Sequence, residues 1–157
     1  MLKKHTLATL VFCAYFSISN AQQTEWYTLD NTYKTAIELF KKGKYAAASE
    51  QFSRVEQLHT IPSTQPVDNR QVSLLKENAQ FYQALCALEL GNQDAENLFL
   101  RYIREYPVSA NTKSAYFQLG RSYFARKNYE KTIEWFKEID ANSLTVKESS
   151  EYRFKLA

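Results

Sequence analysis

Tyr116-Phe-Gln-Leu-Gly-Arg-Ser-Tyr123, a polar Lys127-Asn128 pair, then Tyr129-Glu-Lys-Thr-Ile-Glu-Trp-Phe136: this stretch decides the fold. Tyr116, Leu119 and Tyr123 recur at helical spacing, and so do Thr132, Phe136 and Ile139, which reads as two amphipathic helices. A polar turn this short forces them to run antiparallel, side by side. Gly120 beside the anchor Leu119 leaves room for a neighbouring helix to come close. Such a hairpin cannot bury its own apolar face alone, so it needs others of its kind stacked against it.

Working outward, the small residue and Phe four positions apart occur three times, as Ala48/Phe52, Ala95/Phe99 and Thr132/Phe136. Tyr45 and Tyr129 each stand three residues before the small residue, and Pro107 falls eight after Phe99. The apolar periodicity predicts helices over 32–42, opened by Asn31, and 45–58 beyond the Gly43-Lys44 break. The segment 59–68, with Pro62 and Pro66, reads as a loop. Asp68 or Asn69 caps a longer helix to Leu90. Helices over 94–106, ended by Pro107, 111–126 and 129–139 follow, and a last one runs from about Thr145 to the end of the chain. Only three glycines and three prolines occur, so the turn chemistry of an all-β fold is missing.

Together these residues resemble the tetratricopeptide repeat, whose pattern is an aromatic, Leu-Gly, Tyr, then Ala-x3-Phe and a closing Pro. The resemblance covers about 31–157 and implies an all-α, right-handed superhelical solenoid of antiparallel helix pairs. Its units are 31–58, 69–107 and 111–140, with the start of a fourth at 145–157. The core residues it implies are Tyr45, Ala48, Phe52, Ala95, Phe99, Pro107, Tyr116, Leu119, Gly120, Tyr123, Tyr129, Thr132 and Phe136. Departures are visible: successive Phe anchors lie 47 and 37 residues apart, against about 34 in the family. Thr132 replaces Ala, Asn92 stands where the other units have Tyr, Leu144 replaces the closing Pro, and the second unit's first helix fits in either of two registers. Irregular units of this kind, and the stretch Arg104-Glu-Tyr-Pro-Val-Ser-Ala followed by Ala115-Tyr-Phe-Gln-Leu-Gly, are similar to the extracytoplasmic subgroup. That subgroup includes outer-membrane assembly lipoproteins and coordinators of cell-wall synthesis.

The first residues read as a leader for export: Lys3, Lys4 and His5, an apolar run from Leu7 to Ile18, and small residues Ser19-Asn20-Ala21 before Gln22. The apolar run is shorter than the ~20 residues that span a bilayer. Cys13 follows Phe12 and does not match a lipid-anchor site. The expected layout is a signal peptide at 1–21, a lead-in at 22–30 and the repeat domain at 31–157, in the periplasm or at the outer membrane. Cleavage would leave 18 basic against 17 acidic residues, with no concentrated basic face for nucleic acid.

The remaining chain would hold one cysteine, Cys86, and one histidine, His59. That excludes an intramolecular disulfide and gives too few ligands for a metal or nucleophilic site. Cys86 sits at a buried helical position, as a small hydrophobe. Glu134/Glu138 and Glu148/Glu151 alternate with Lys131, Lys137 and Lys147 and read as solvated helix faces. No catalytic, metal or cofactor site and no small-molecule substrate is expected.

The expected activity is that of a scaffold or adaptor for a protein or peptide in the bacterial envelope. The alternative is the sensory input region of a larger exported or membrane-bound receptor. The resemblance implies that the first helix of each unit lines a concave binding face: Tyr33, Ile37, Phe40 and Lys41 in the first unit, Phe117, Arg121 and Phe124 in the third. At the far end Tyr152, Phe154 and Leu156 are expected to lack a covering helix. Two expectations follow: self-association through that helix, and a longer native chain of which this is the N-terminal part.

Overall fold

The computed structural model describes residues 28–59 and 69–156. The leader at 1–21 and most of the Pro-containing loop therefore lie outside the described residues. Helix α1 covers 28–41. It is followed by α2 (Tyr45–His59), α3 (Asn69–Glu89), α4 (Ala95–Glu105), α5 (Thr112–Ala125), α6 (Tyr129–Lys137), a 3-10 turn (Ala141–Ser143) and α7 (Val146–Leu156). No strand occurs among the described residues. Residues 28–30, expected in the lead-in, are already helical, and Leu29 is buried in the first core.

Each helix pair turns in the same way. Gly43, Gly91 and Lys127 take left-handed backbone angles, with φ of 70, 67 and 58°. In every case that residue's N–H bonds back three residues and the next N–H bonds back five, as in Lys44 N to Leu39 O, Asn92 N to Ala87 O and Asn128 N to Tyr123 O. This pair of hydrogen bonds satisfies the last carbonyls of the first helix and reverses the chain. Elsewhere the caps differ. Asn128 accepts from Lys131 N at the start of α6. At α7, Thr145 N donates to the Glu148 carboxylate while Glu148 N donates to Thr145 Oγ1, a reciprocal box.

Burial follows the helix order. A first core lies among α1, α2 and α3, with Ala36, Ala48, Phe52, Val55, Ala79 and Cys86. A second lies among α3, α4 and α5, with Phe81, Ala84, Phe99, Tyr102, Ala115 and Leu119. A third gathers Phe117, Phe136 and Ile139 with Tyr116, Leu144 and Tyr152. Both α3 and α5 thus serve two cores, one with each neighbour, and the stack is a helical solenoid held by nearest-neighbour contacts. A polar seam closes the second junction. Ser109 and Tyr102 donate to the Glu77 carboxylate, and Asn111 Nδ2 donates to Asn78 Oδ1 at 2.9 Å. Burial, above all, raises the Tyr102 phenol to about 12.

Most expected core residues are buried, but four are not. Tyr116 is half-buried, its ring stacked on Trp135. Tyr45 is half-buried, set edge-on to Phe40. Tyr129 is 54% exposed, edge-on to Phe124, because α6 places it on the solvent side of the turn. Pro107 is exposed and stops α4 without contributing to the core. Tyr152 was expected to lie uncovered, yet its ring packs 4.9 Å from Phe136 and its hydroxyl donates to Phe136 O. Glu148 is no solvated carboxylate either, since it accepts from Ser114 Oγ at 2.6 Å and Gln118 Nε2 at 3.3 Å on α5.

Candidate partner-binding surface

The shared turn fixes the register that the sequence leaves open. Aligning Gly43, Gly91 and Lys127 superposes Tyr33, Phe81 and Phe117, and three residues further on Ala36, Ala84 and Gly120. The contacts agree. The three aromatics meet the Phe of the following helix at 6.0, 6.3 and 5.9 Å, as Tyr33–Phe52, Phe81–Phe99 and Phe117–Phe136. The turn between α3 and α4 is one residue shorter than the other two, from Gly91 to Phe99 against Gly43 to Phe52 and Lys127 to Phe136.

In that register the first helices of the units present matched rows. One row is Ile37, Leu85 and Arg121, the next Phe40, Leu88 and Phe124, and the last Lys41, Glu89 and Ala125. Ile37, Leu85, Arg121, Phe40, Leu88 and Phe124 are all only partly buried. Within the rows, Arg121 on α5 reaches Glu89 on α3 at 3.2 Å, with side chains 34% and 37% exposed. Phe40 meets Tyr82 of α3 at 5.1 Å, and the ammonium of Lys155 on α7 lies 4.0 Å from the Phe124 ring centre. Arg121 also borders a depression of about 490 Å³, shared with Leu88, Glu89, Glu96, Ser122 and Arg126. At its edge Tyr123 donates to Glu96 and accepts from Lys131 at 3.1 Å. Burial first, then the bond to Glu96, hold the Tyr123 phenol above its ordinary value.

A family model described as tetratricopeptide repeat matches residues 33–110 and 92–143, together well over half of the chain. The chain belongs to the tetratricopeptide-repeat family. No curated protein and no solved structure matches it. Tetratricopeptide repeats generally mediate protein–protein interaction as non-enzymatic scaffolds, so the exposed rows of these repeats are where a partner is to be sought.

The residues expected to bind a partner divide in two. Phe117 is a correction: it is 1% exposed, stacked on Phe136 and packed into the third core, where a partner cannot reach it. Tyr33 stands at the same position in the first repeat. It is half-buried against Phe52, and burial raises its phenol to about 12. Ile37 and Phe40 pack on the first core with part of their surface open, and Lys41 is exposed. Arg121 and Phe124 are part-exposed. Sequence reasoning missed the second repeat's share, Leu85, Leu88 and Glu89. Anchoring that repeat on Gly91, the counterpart of Gly43, would have found them.

Cys86 is buried, and burial, then the charge of Glu89, raise its thiol to about 12. Among the described residues no group of three or more His, Cys, Asp or Glu could hold a metal ion, and no helix is long and apolar enough to cross a membrane.

Proposed function

We propose that this chain is an exported scaffold or adaptor of the bacterial envelope that holds an extended peptide or a partner helix along the matched rows of α1, α3 and α5. One observation carries the reading: three successive repeats leave an apolar row partly uncovered, Phe40, Leu88 and Phe124, and beside it a half-exposed guanidinium, Arg121. Rings and leucines supply contact area, and Arg121 supplies a planar fork for a carboxylate. Glu89 occupies that fork in the free chain. An acidic ligand must therefore displace an internal carboxylate, which tunes affinity downward and favours ligands able to offer two oxygens. Export rests on the leader pattern, with its basic start, apolar run and Ser19-Asn20-Ala21.

The test is a displayed random-peptide library selected on the purified chain. The selected peptides are expected to pair apolar residues with an acidic one, to lose at least about tenfold in affinity on Arg121→Ala, and to bind severalfold tighter on Glu89→Gln. Selected peptides indifferent to both substitutions would refute the inner-face site. Export is tested separately, by fusing residues 1–30 to a phosphatase that is active only outside the cytoplasm. An inactive fusion removes the envelope reading and leaves the binding surface standing.

A further inference from the structure

The second repeat lacks a ring that its neighbours have. Two residues after the left-handed turn residue, the first repeat has Tyr45 and the third has Tyr129. Each sets its ring edge-on to the last aromatic of the helix before it, Tyr45 to Phe40 at 5.3 Å and Tyr129 to Phe124 at 5.5 Å. In the second repeat the same count reaches Gln93. Counting back from the small residue Ala95 reaches Asn92 instead, because the turn is one residue shorter. Neither carries a ring, and Leu88 stands where the flanking repeats have Phe40 and Phe124. Tyr82, the other ring on Phe40, has Gln118 as its counterpart, and that amide donates to Glu148.

At this place lies the depression of about 490 Å³, with Leu88, Asn92, Gln93 and Ala125 among its lining residues. Pockets that take small ligands span roughly 300–1,000 Å³. Arg126 lines it as well, exposed and held in place: its guanidinium lies 4.7 Å from the Tyr123 ring centre and donates to Ser122 Oγ at 2.8 Å. A guanidinium fixed in this way offers a flat cationic surface to a further ring. Arg121 and Glu89 border the same depression, so it opens onto the inner-face rows at the carboxylate fork.

We propose that this depression seats an aromatic side chain of the bound peptide, adjacent in sequence to the acidic residue that takes Arg121. The ligand's ring then caps Leu88 as Tyr45 caps Phe40 and Tyr129 caps Phe124. The acidic neighbour rests on the inner-face reading above, whereas the ring seat rests on the missing tyrosine. A ring suits the seat better than an aliphatic side chain of equal bulk, since a guanidinium attracts a π face and not saturated carbon. The flanking seats are filled by the chain's own tyrosines, so this one aromatic sets the register of the ligand along the rows.

The probes are acetyl-Asp-Tyr amide and acetyl-Tyr-Asp amide, titrated into the methyl-labelled full chain and followed by NMR. For at least one order, upfield ring-current shifts are expected at the Leu88 and Ala125 methyls, with half-saturation at about 1–5 mM. Acetyl-Asp-Ala amide and acetyl-Asp-Leu amide should bind at least about fivefold more weakly. Ala125→Trp plugs the depression from an exposed position and Gln93→Tyr supplies a ring from the chain itself. Each should abolish the tyrosine probe's advantage with the melting curve retained. Equal binding of the Tyr, Ala and Leu probes, all lost on Arg121→Ala, overturns the ring seat and leaves the inner-face reading standing. Acetyl-Ala-Tyr amide bound as tightly as the acidic probes, and indifferent to Arg121→Ala, supports the ring seat and removes the carboxylate reading. No shift at either methyl up to ~20 mM probe overturns the proposal, as do Leu88 shifts that survive both blocking substitutions.

Discussion

Gly120→Ala puts the packing of the third repeat to a direct test. A Cβ on Gly120 would lie 2.2 Å from Cε1 and 2.4 Å from Cδ1 of Phe136, where carbon atoms in contact sit ~3.5–4.0 Å apart. The ring must therefore retreat by more than an ångström, on the order of the missing separation. Its way is blocked, since Phe117 is stacked on one side at 5.9 Å and Tyr152 packs on another at 4.9 Å. Overpacking of this kind costs about 1–3 kcal/mol, and the better helix propensity of Ala returns at most about 1. A net loss of about 1–2 kcal/mol corresponds to a fall in Tm of roughly 4–8 °C for a domain of this size. Thermal melts by circular dichroism measure it, and hydrogen exchange should show the loss in α5, α6 and α7, with α1 and α2 spared, because neighbours alone are coupled. Combining Gly120→Ala with Phe136→Leu should cost less than the sum of the two. A Gly120→Ala protein that melts higher than wild type would refute the argument that this glycine exists to admit the Phe136 ring.

Three further outcomes are expected. Cys86 and the phenols of Tyr33 and Tyr102 are each raised to about 12. The unfolded chain therefore releases protons near pH 9–10 that the folded chain retains, so stability holds below about pH 9 and falls as pH rises toward 12, read as a declining denaturant midpoint. Lys127 holds a left-handed φ of 58° where the other repeats have glycine; Lys127→Gly should stabilise by about 0.5–1 kcal/mol, seen as a higher midpoint in urea. Glu148→Ala removes half of the capping box and the acceptor of Ser114 and Gln118; it should cost about 1–2 kcal/mol and speed hydrogen exchange selectively in α7.

What was legible in the sequence was whatever the period of an isolated helix or a turn dictates. The helix pairs, the Gly43 and Lys127-Asn128 turns, and the small-x3-Phe anchors all follow from local spacing, and Ala48, Phe52, Phe99 and Phe136 are buried as that spacing implies. Exposure across repeats was not legible, because it depends on which helix comes next. Phe117 and Phe124 lie seven residues apart, on one stripe of α5, and both read as candidates for the concave face. Phe136 of α6 seals the first within the third core, while the second stays partly open under Lys155 of α7. Glu148 was misread for the same reason: its partners Ser114 and Gln118 are 34 and 30 residues away in the chain, where no local rule sees them.

The irregular period then has a physical account. Between equivalent first-helix positions the spacing is 48 residues from Ala36 to Ala84 and 36 from Ala84 to Gly120. The excess lies in the connection from α2 and the extended start of α3, where Val72 and Leu75 reach back to the first core. Inside each repeat the distance from the small crossing residue to its Phe anchor hardly changes: Ala36 to Phe52, Ala84 to Phe99, Gly120 to Phe136. Packing holds that inner distance to within one residue, and the shorter turn after Gly91 takes up the difference, so Phe99 stays buried like Phe52 and Phe136. The connection is under looser constraint, because lengthening a flexible connection costs only about 0.6 kcal/mol per doubling. The repeated inner geometry is what lines up Ile37 with Leu85 and Arg121, so a ligand along these rows would meet a regular surface although the chain that builds it is irregular.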